Sequence, residues 1–277
     1  MSLILVNKIS TEDFYNSLYW DHRIYDIRCL EEYNVSHICR AHHIDCSSID
    51  IIFNIDTLID HHYGKPDNLS SVLIYNNNNN NDENCLLISY LKSSKNVLNK
   101  YLKEIKMLID GFENFKLTYP YLCSDHIYFD KSCQLSWPSC ITPSIYLGSS
   151  ICRNEIIISL LKITHILSLS DYPEKKLDLS NIKTIHYEIS DSLSSNMKPI
   201  FDSSIKWISK CLNDENGIIL IHCDQGISRS SIVLMAFLLF SNKNFISIDQ
   251  VYQFVKSKRN IIKPNESFLK QLEEYLI

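Results

Sequence analysis

The chain has 277 residues, room for one large domain or two ordinary ones, and 45% of them are hydrophobic, as in a folded protein with real cores. The net charge of −5 argues against a nucleic-acid partner and against a basic, membrane-surface protein. The segment 1–8 has too short an apolar core for a secretory signal, and the apolar run 232–240 is too short to span a bilayer. The expectation is a soluble protein of the cytoplasm, with the nucleus as a further compartment and no membrane partner.

The ten cysteines show no Cys-x-x-Cys spacing, so neither a zinc site nor a redox dithiol is expected. Without a secretory signal, a disulfide framework is not expected either. Nine of the ten read as small buried hydrophobes or inert thiols. Only Cys223 sits in a context that explains a reactive thiol.

In chain order, the first landmark is the asparagine run Asn76 to Asn81, continued by Asp82-Glu83-Asn84, which reads as a surface loop unable to build a core. The stretch from Tyr119 through Pro138 to Pro143 lacks periodicity and reads as a surface linker, with a domain boundary between about Cys123 and Ser139. Beyond it, strands and helices alternate. Strands are expected at 145–147, 164–169, 182–189 and 218–221, and helices at 154–161 and 199–212. Three more helices are expected at 231–240, 247–258 and 265–276, with Pro264 or Asn265 as the start signal of the last. Such alternation predicts an α/β layered domain. The run Ser231 to Phe240 is apolar all round and should lie at its centre.

Between the last strand and that helix stands His222-Cys223-Asp224-Gln225-Gly226-Ile227-Ser228-Arg229-Ser230. A strand, a tight loop and a helix N-terminus together make an anion site, with converging backbone N–H groups and the positive end of the helix dipole. A cysteine there is favoured as thiolate, and an arginine at the far end can fork onto two oxygens of a tetrahedral anion. The chemistry implied is nucleophilic attack on a phosphate ester. The loop residues Asp224 and Gln225 add no positive charge, which disfavours phosphoinositides.

This Cys-x5-Arg-Ser loop resembles the signature of the protein tyrosine phosphatase superfamily, in its dual-specificity branch. The segments Pro143 to Ser149 and Ile163 to Leu169, and Pro264-Asn265 with Phe268, Gln271 and Leu272, resemble that branch's flanking strands and last helix. The resemblance implies that Cys223 is the nucleophile of a cysteinyl-phosphate intermediate. It implies that the amides of Asp224, Gln225, Gly226, Ile227, Ser228 and Arg229, with the Arg229 guanidinium, hold the phosphoryl oxygens. Ser230 would donate to the departing thiolate. His222 would orient the loop and help keep Cys223 ionised. Asn265 would brace the loop or serve only as a helix cap. No metal or other cofactor is implied.

The resemblance also implies a proton donor to the leaving oxygen, and the matching residue is Asp191, in Ile189-Ser190-Asp191-Ser192-Leu193. Asp202 is a poorer candidate because it falls on a helix, and Asp171 is the reserve. The basic stretch Lys256, Lys258, Arg259 and Lys263 reads as a solvated face.

The first half resembles a rhodanese-like domain through Arg23 to Arg28, Glu31-Glu32-Tyr33, Ser36-His37-Ile38, Ala41 to Ile44 and Val72 to Tyr75. A rhodanese-like domain followed by a phosphatase domain is the layout of MAP kinase phosphatases. The stretch Tyr33 to Ile38 is also similar to serine/threonine/tyrosine-interacting-like pseudophosphatases. Sulfur transfer needs a cysteine just after the 72–75 strand, where Asn76 stands instead, so that activity is not expected. The kinase-docking version of such a domain carries an arginine cluster, yet residues 45–60 hold no Lys or Arg.

The expectation is therefore two α/β domains. A non-catalytic rhodanese-like domain spans 1–125, with its asparagine-rich loop at 76–84. A linker spans 126–138. A cysteine-dependent phosphatase domain spans 139–277, with a central sheet flanked by helices. The expected activity is hydrolysis of phosphotyrosine and phosphoserine or phosphothreonine in a phosphoprotein, a MAP kinase being one target. The alternative is a phosphoprotein-binding scaffold with little turnover.

Overall fold

The computed structural model describes residues 4–18, 23–46, 71–77, 86–92, 102–172, 181–213, 216–241 and 245–276. The chain divides into two compact units, Met1–Leu135 and Ser136–Ile277.

In the first unit the described elements are β1 (Leu5–Ile9), α1 (Thr11–Ser17), β2 (Arg23–Asp26), α2 (Leu30–Val35), β3 (Ala41–His43), β4 (Ser71–Tyr75), α3 (Leu86–Lys92), β5 (Glu104–Leu108) and α4 (Gly111–Thr118). The five strands form one parallel sheet in the order β1-β5-β4-β2-β3. The run Ser-Val-Leu-Ile-Tyr of β4 is buried throughout, as a strand with neighbours on both edges and cover on both faces requires. Just past β2, Arg28 turns back onto buried Asp26, with Nη2 to Oδ2 at 2.5 Å, and stacks over the Phe112 ring at 3.7 Å. Asn76 and Asn77 follow β4, whereas the rest of the asparagine run and Cys85 lie outside the described residues, as do residues 47–60.

Two sequence expectations need correction here. The stretch 126–138 is not a bare linker, because Phe129–Ser132 forms a helical turn, α5. Nor are all nine remaining cysteines single: Cys39 and Cys133 are joined, with Cα atoms 5.7 Å apart. They stand 94 residues apart, so no spacing motif announces the pair.

The second unit contains β6 (Ser139–Thr142), β7 (Ile145–Ser149), α6 (Glu155–Leu160), β8 (His165–Ser170), β9 (Lys183–Glu188), α7 (Lys198–Asn213), β10 (Ile219–Cys223), α8 (Arg229–Ser241), α9 (Ile248–Lys258) and α10 (Glu266–Tyr275). Its sheet runs β6-β7-β10-β8-β9, antiparallel only at the β6–β7 edge. The α/β reading of this half holds, but the surface linker expected from Tyr119 to Pro143 does not: Tyr121, Leu122 and Cys123 are buried, and Ser139–Thr142 forms the edge strand β6, whose Cys140 and Ile141 are buried. The strand that carries Cys223 is the central one, in register with Ser149 on one side and Leu169 on the other. Residues 229–238 of α8 are all buried, consistent with the apolar run Ile232 to Phe240 that follows its polar first residues. The core packs β7, β8 and β10 against α7, α8, α9 and α10 through Phe201, Ile208, Val233, Met235, Val251 and Phe268. Among the described residues no helix is long and apolar enough to cross a membrane.

Candidate active site

Cys223 ends β10 and Arg229 begins α8, so the five intervening residues must reverse the chain at the C-terminal edge of the sheet, where open α/β sheets keep their sites. The turn is made at Gly226, whose φ is +68°. A Cβ built there would lie 2.4 Å from the carbonyl oxygen of Gly148, so only glycine fits.

Four successive loop carbonyls accept hydrogen bonds from outside the loop. Ser150 N–H donates to Asp224 O at 3.2 Å and Lys263 N–H to Ile227 O at 3.0 Å. Between them, Arg259 donates from Nη2 to Gln225 O at 3.3 Å and from Nε to Gly226 O at 2.8 Å. With these carbonyls tied outward, Gly226 N–H donates to Cys223 Sγ at 3.2 Å. Ser230 Oγ–H donates to the same sulfur, also at 3.2 Å. Cys223 is 2% exposed, and two donors aimed at it suit a negatively charged sulfur.

Arg259 corrects the sequence reading. It does not belong to a solvated basic face: it is buried, and burial holds its pKa below the ordinary value. Val251 and Val255 are core residues four apart in the helix, and Arg259 stands four residues further on as its extended C-cap, its N–H bonded to Val255 O. A third contact, Nη1 to Ser139 Oγ at 3.4 Å, completes its fork.

The Arg229 side chain is 6% exposed and lies among carboxylates. Nη1 donates to Ile189 O at 3.0 Å and to Asp171 Oδ1 at 3.2 Å. Nη2 donates to Asp224 Oδ2 at 2.6 Å. Nε has no hydrogen-bond partner among the described residues and stands 3.9 Å from Asp191 Oδ2. Burial acts to lower the pKa of this guanidinium, but the hydrogen bond to Asp224 and the charges of Cys223, Asp224 and Asp171 raise it above the ordinary value.

Asp191 follows β9 and reaches the same place. Its Oδ1 accepts from Ser228 Oγ at 2.8 Å and from Asn265 Nδ2 at 2.8 Å. Asn265 has two further contacts: its Oδ1 accepts from Phe268 N–H at 2.9 Å as the cap of α10, and its own N–H donates to Ser228 Oγ at 3.1 Å. The alternatives of cap or brace are thus both realised. The reserve acid, Asp171, binds Arg229, and Asp202 pairs with the Tyr275 hydroxyl.

His222 is 2% exposed, and burial, with the charge of Arg153 adding to it, lowers its pKa to about 4. The ring is therefore neutral near pH 7, and neither of its nitrogens has a hydrogen-bond partner among the described residues. Among the described residues no cluster of His, Cys, Asp or Glu is suited to hold a metal ion. A buried sulfur with a backbone amide and a hydroxyl donating to it, a guanidinium edge and a nearby carboxyl group are the equipment for covalent transfer of a tetrahedral oxyanion.

Residues 145–276 match the dual specificity phosphatase catalytic domain family. Relatives name the particular kin. Human dual specificity protein phosphatase 16 is 29% identical over 272 residues, covering 90% of this chain and 40% of its own length. A probable dual specificity protein phosphatase of Dictyostelium discoideum is 36% identical over 136 residues, covering 49% of this chain and 33% of its own. A probable rhodanese domain-containing dual specificity protein phosphatase from the same organism is 30% identical over 198 residues, covering 65% of this chain and 40% of its own. The chain thus spans at most 40% of the length of these relatives.

Proposed function

We propose that this protein hydrolyses phosphotyrosine and phosphoserine or phosphothreonine in phosphoproteins through a cysteinyl-phosphate intermediate. The observation that carries the reading is the pair of donors on Cys223 Sγ, from Gly226 N and Ser230 Oγ, in a cradle whose Arg229 Nε makes no hydrogen bond among the described residues. The sulfur attacks phosphorus, the ester P–O bond breaks, and Asp191 gives its proton to the leaving oxygen. The amides of residues 224–229 and the Arg229 guanidinium hold the equatorial oxygens. Water then attacks phosphorus and gives a proton to Asp191. The S–P bond breaks, Ser230 donates to the departing thiolate, and inorganic phosphate leaves. A scaffold without turnover is disfavoured, because the nucleophile, the arginine and the acid are all present and gathered.

We read the first unit as a rhodanese-like domain without sulfur transfer. Its parallel sheet and the rhodanese domain-containing relative support this, and asparagines occupy the positions after β4. The layout makes a MAP kinase the first substrate to test, and the cytoplasm and nucleus the compartments to search. Purified protein should hydrolyse p-nitrophenyl phosphate, and Cys223→Ser should not. Equal rates from both would refute the mechanism. Phosphoproteins retained by Asp191→Ala would identify the substrate.

A further inference from the structure

We propose that Asp224 is a specificity-determining residue: an internal anion that competes with the substrate phosphoryl group for Arg229 and selects against acidic neighbours of the phosphorylated residue. The proposal rests on the reading of residues 223–229 as a phosphate cradle.

A guanidinium offers a side edge, Nε–H with one Nη2–H, and an end edge shared by Nη1 and Nη2. In Arg229, Nη1 is fixed by the backbone carbonyl of Ile189 and by Asp171. That leaves the side edge for a bidentate anion. Half of it makes no hydrogen bond: Nε is buried and without a hydrogen-bond partner among the described residues, with Asp191 Oδ2 at ion-pair distance, 3.9 Å, in a side chain only 6% exposed. A donor held that way, beside a reactive sulfur, awaits an acceptor. The other half is filled from within the loop, by Asp224 Oδ2 on Nη2 at 2.6 Å.

A phosphoryl group that takes both donors must displace this carboxylate. Asp224 can yield, because its side chain is 39% exposed at the rim while Arg229 is buried. Its backbone stays fixed, since Asp224 O accepts from Ser150 N–H. The displaced charge therefore remains at the mouth of the cradle, where residues beside the phosphorylated one must pass. An acidic neighbour is repelled there and a basic one attracted.

The test is calorimetric titration of the full chain with inorganic phosphate, for wild type, Asp224→Asn and Asp224→Ser. Removing the competitor should tighten phosphate binding about tenfold in both variants, the scale of one charge pair at a half-exposed site. With phosphotyrosine peptides differing only in a flanking Lys or Glu, kcat/KM of wild type should favour Lys about tenfold, and Asp224→Asn should abolish the preference. Unchanged or weaker phosphate binding in both variants would overturn the proposal and make Asp224 a prop for Arg229. Phosphate binding needs no turnover. A protein that binds phosphate as expected but hydrolyses nothing would refute the proposed function and leave the competition standing.

Discussion

Asn265 Nδ2 donates to Asp191 Oδ1 at 2.8 Å while Asn265 Oδ1 caps α10. One side chain thus ties the loop after β9 to the helix that closes the domain. Its N–H also binds Ser228, a residue of the cradle that itself holds Asp191. The position of Asp191, the acid of the proposed mechanism, is thus tied to a residue that takes no part in that chemistry.

That double attachment separates two effects. Asn265→Ala loses the cap and the amide donor, so it should lower stability by about 1 kcal/mol and slow turnover about tenfold. Asn265→Ser can keep the cap but cannot reach Asp191, so its stability should recover and its slow turnover should not. Melting temperature and kcat on p-nitrophenyl phosphate, read together, check this. Full recovery of rate in the serine variant would reduce Asn265 to a cap.

Arg259 should matter as much as residues nearer the chemistry. It supplies two of the four donors that turn the loop carbonyls outward. Arg259→Lys keeps a charge but loses the planar fork, leaving at least one buried carbonyl unsatisfied at about 1–3 kcal/mol. A loop amide displaced by even an ångström should lower kcat/KM about a hundredfold. Phosphate titration and steady-state kinetics on the lysine variant measure both. Wild-type values in each would show that the cradle holds its shape without this residue.

How much of this was legible in the sequence follows from distance along the chain. The strand, loop and helix that present Cys223 and Arg229 are contiguous, and local apolar patterning sufficed to place them. Asp191 required the family resemblance, since an aspartate after a strand is otherwise an ordinary turn residue. The outward ties were illegible. Their donors, Ser150, Arg259 and Lys263, stand far from residues 224–227 in sequence, and two of them act through backbone N–H groups that any residue type supplies. The Cys39–Cys133 pair was hidden for the same reason. The burial of Arg259 is not marked by its charge or by its place in a basic stretch, because it follows from the loop carbonyls that it binds. Asp224 was read only for the positive charge it lacks, and its grip on Arg229 needed coordinates.

Gly226 gives a sharper test of loop geometry. Its φ of +68° alone would disfavour a side chain, and the Cβ of an alanine would meet Gly148 O at 2.4 Å and Arg259 Nη2 at 2.8 Å. The first contact is with backbone of the adjacent strand β7, which cannot yield without moving the sheet. Gly226→Ala should therefore cost about 3 kcal/mol and remove most phosphate binding. Denaturant unfolding and phosphate titration check the two halves. A stable variant with intact binding would mean that the loop has another conformation available.

His222 links the site to acid stability. Its ordinary pKa of 6.5 falls to about 4 in the folded protein, chiefly through burial. Below 6.5 the unfolded chain takes up a proton that the folded chain refuses, so stability declines as pH falls through the window from 6.5 to about 4. The decline from this group alone should reach about 2 kcal/mol by pH 5. Carboxylates held below their ordinary range, such as Glu274 beside Lys198, add to acid sensitivity, so the comparison must be differential. His222→Gln replaces the ring with a side chain that does not titrate. Urea unfolding of both proteins at pH 7 and pH 5 should show the wild type losing more stability than the variant by about 2 kcal/mol. Parallel losses would mean that the imidazole takes up its proton in the folded state after all, and that His222 reaches solvent or a counter-charge near Cys223.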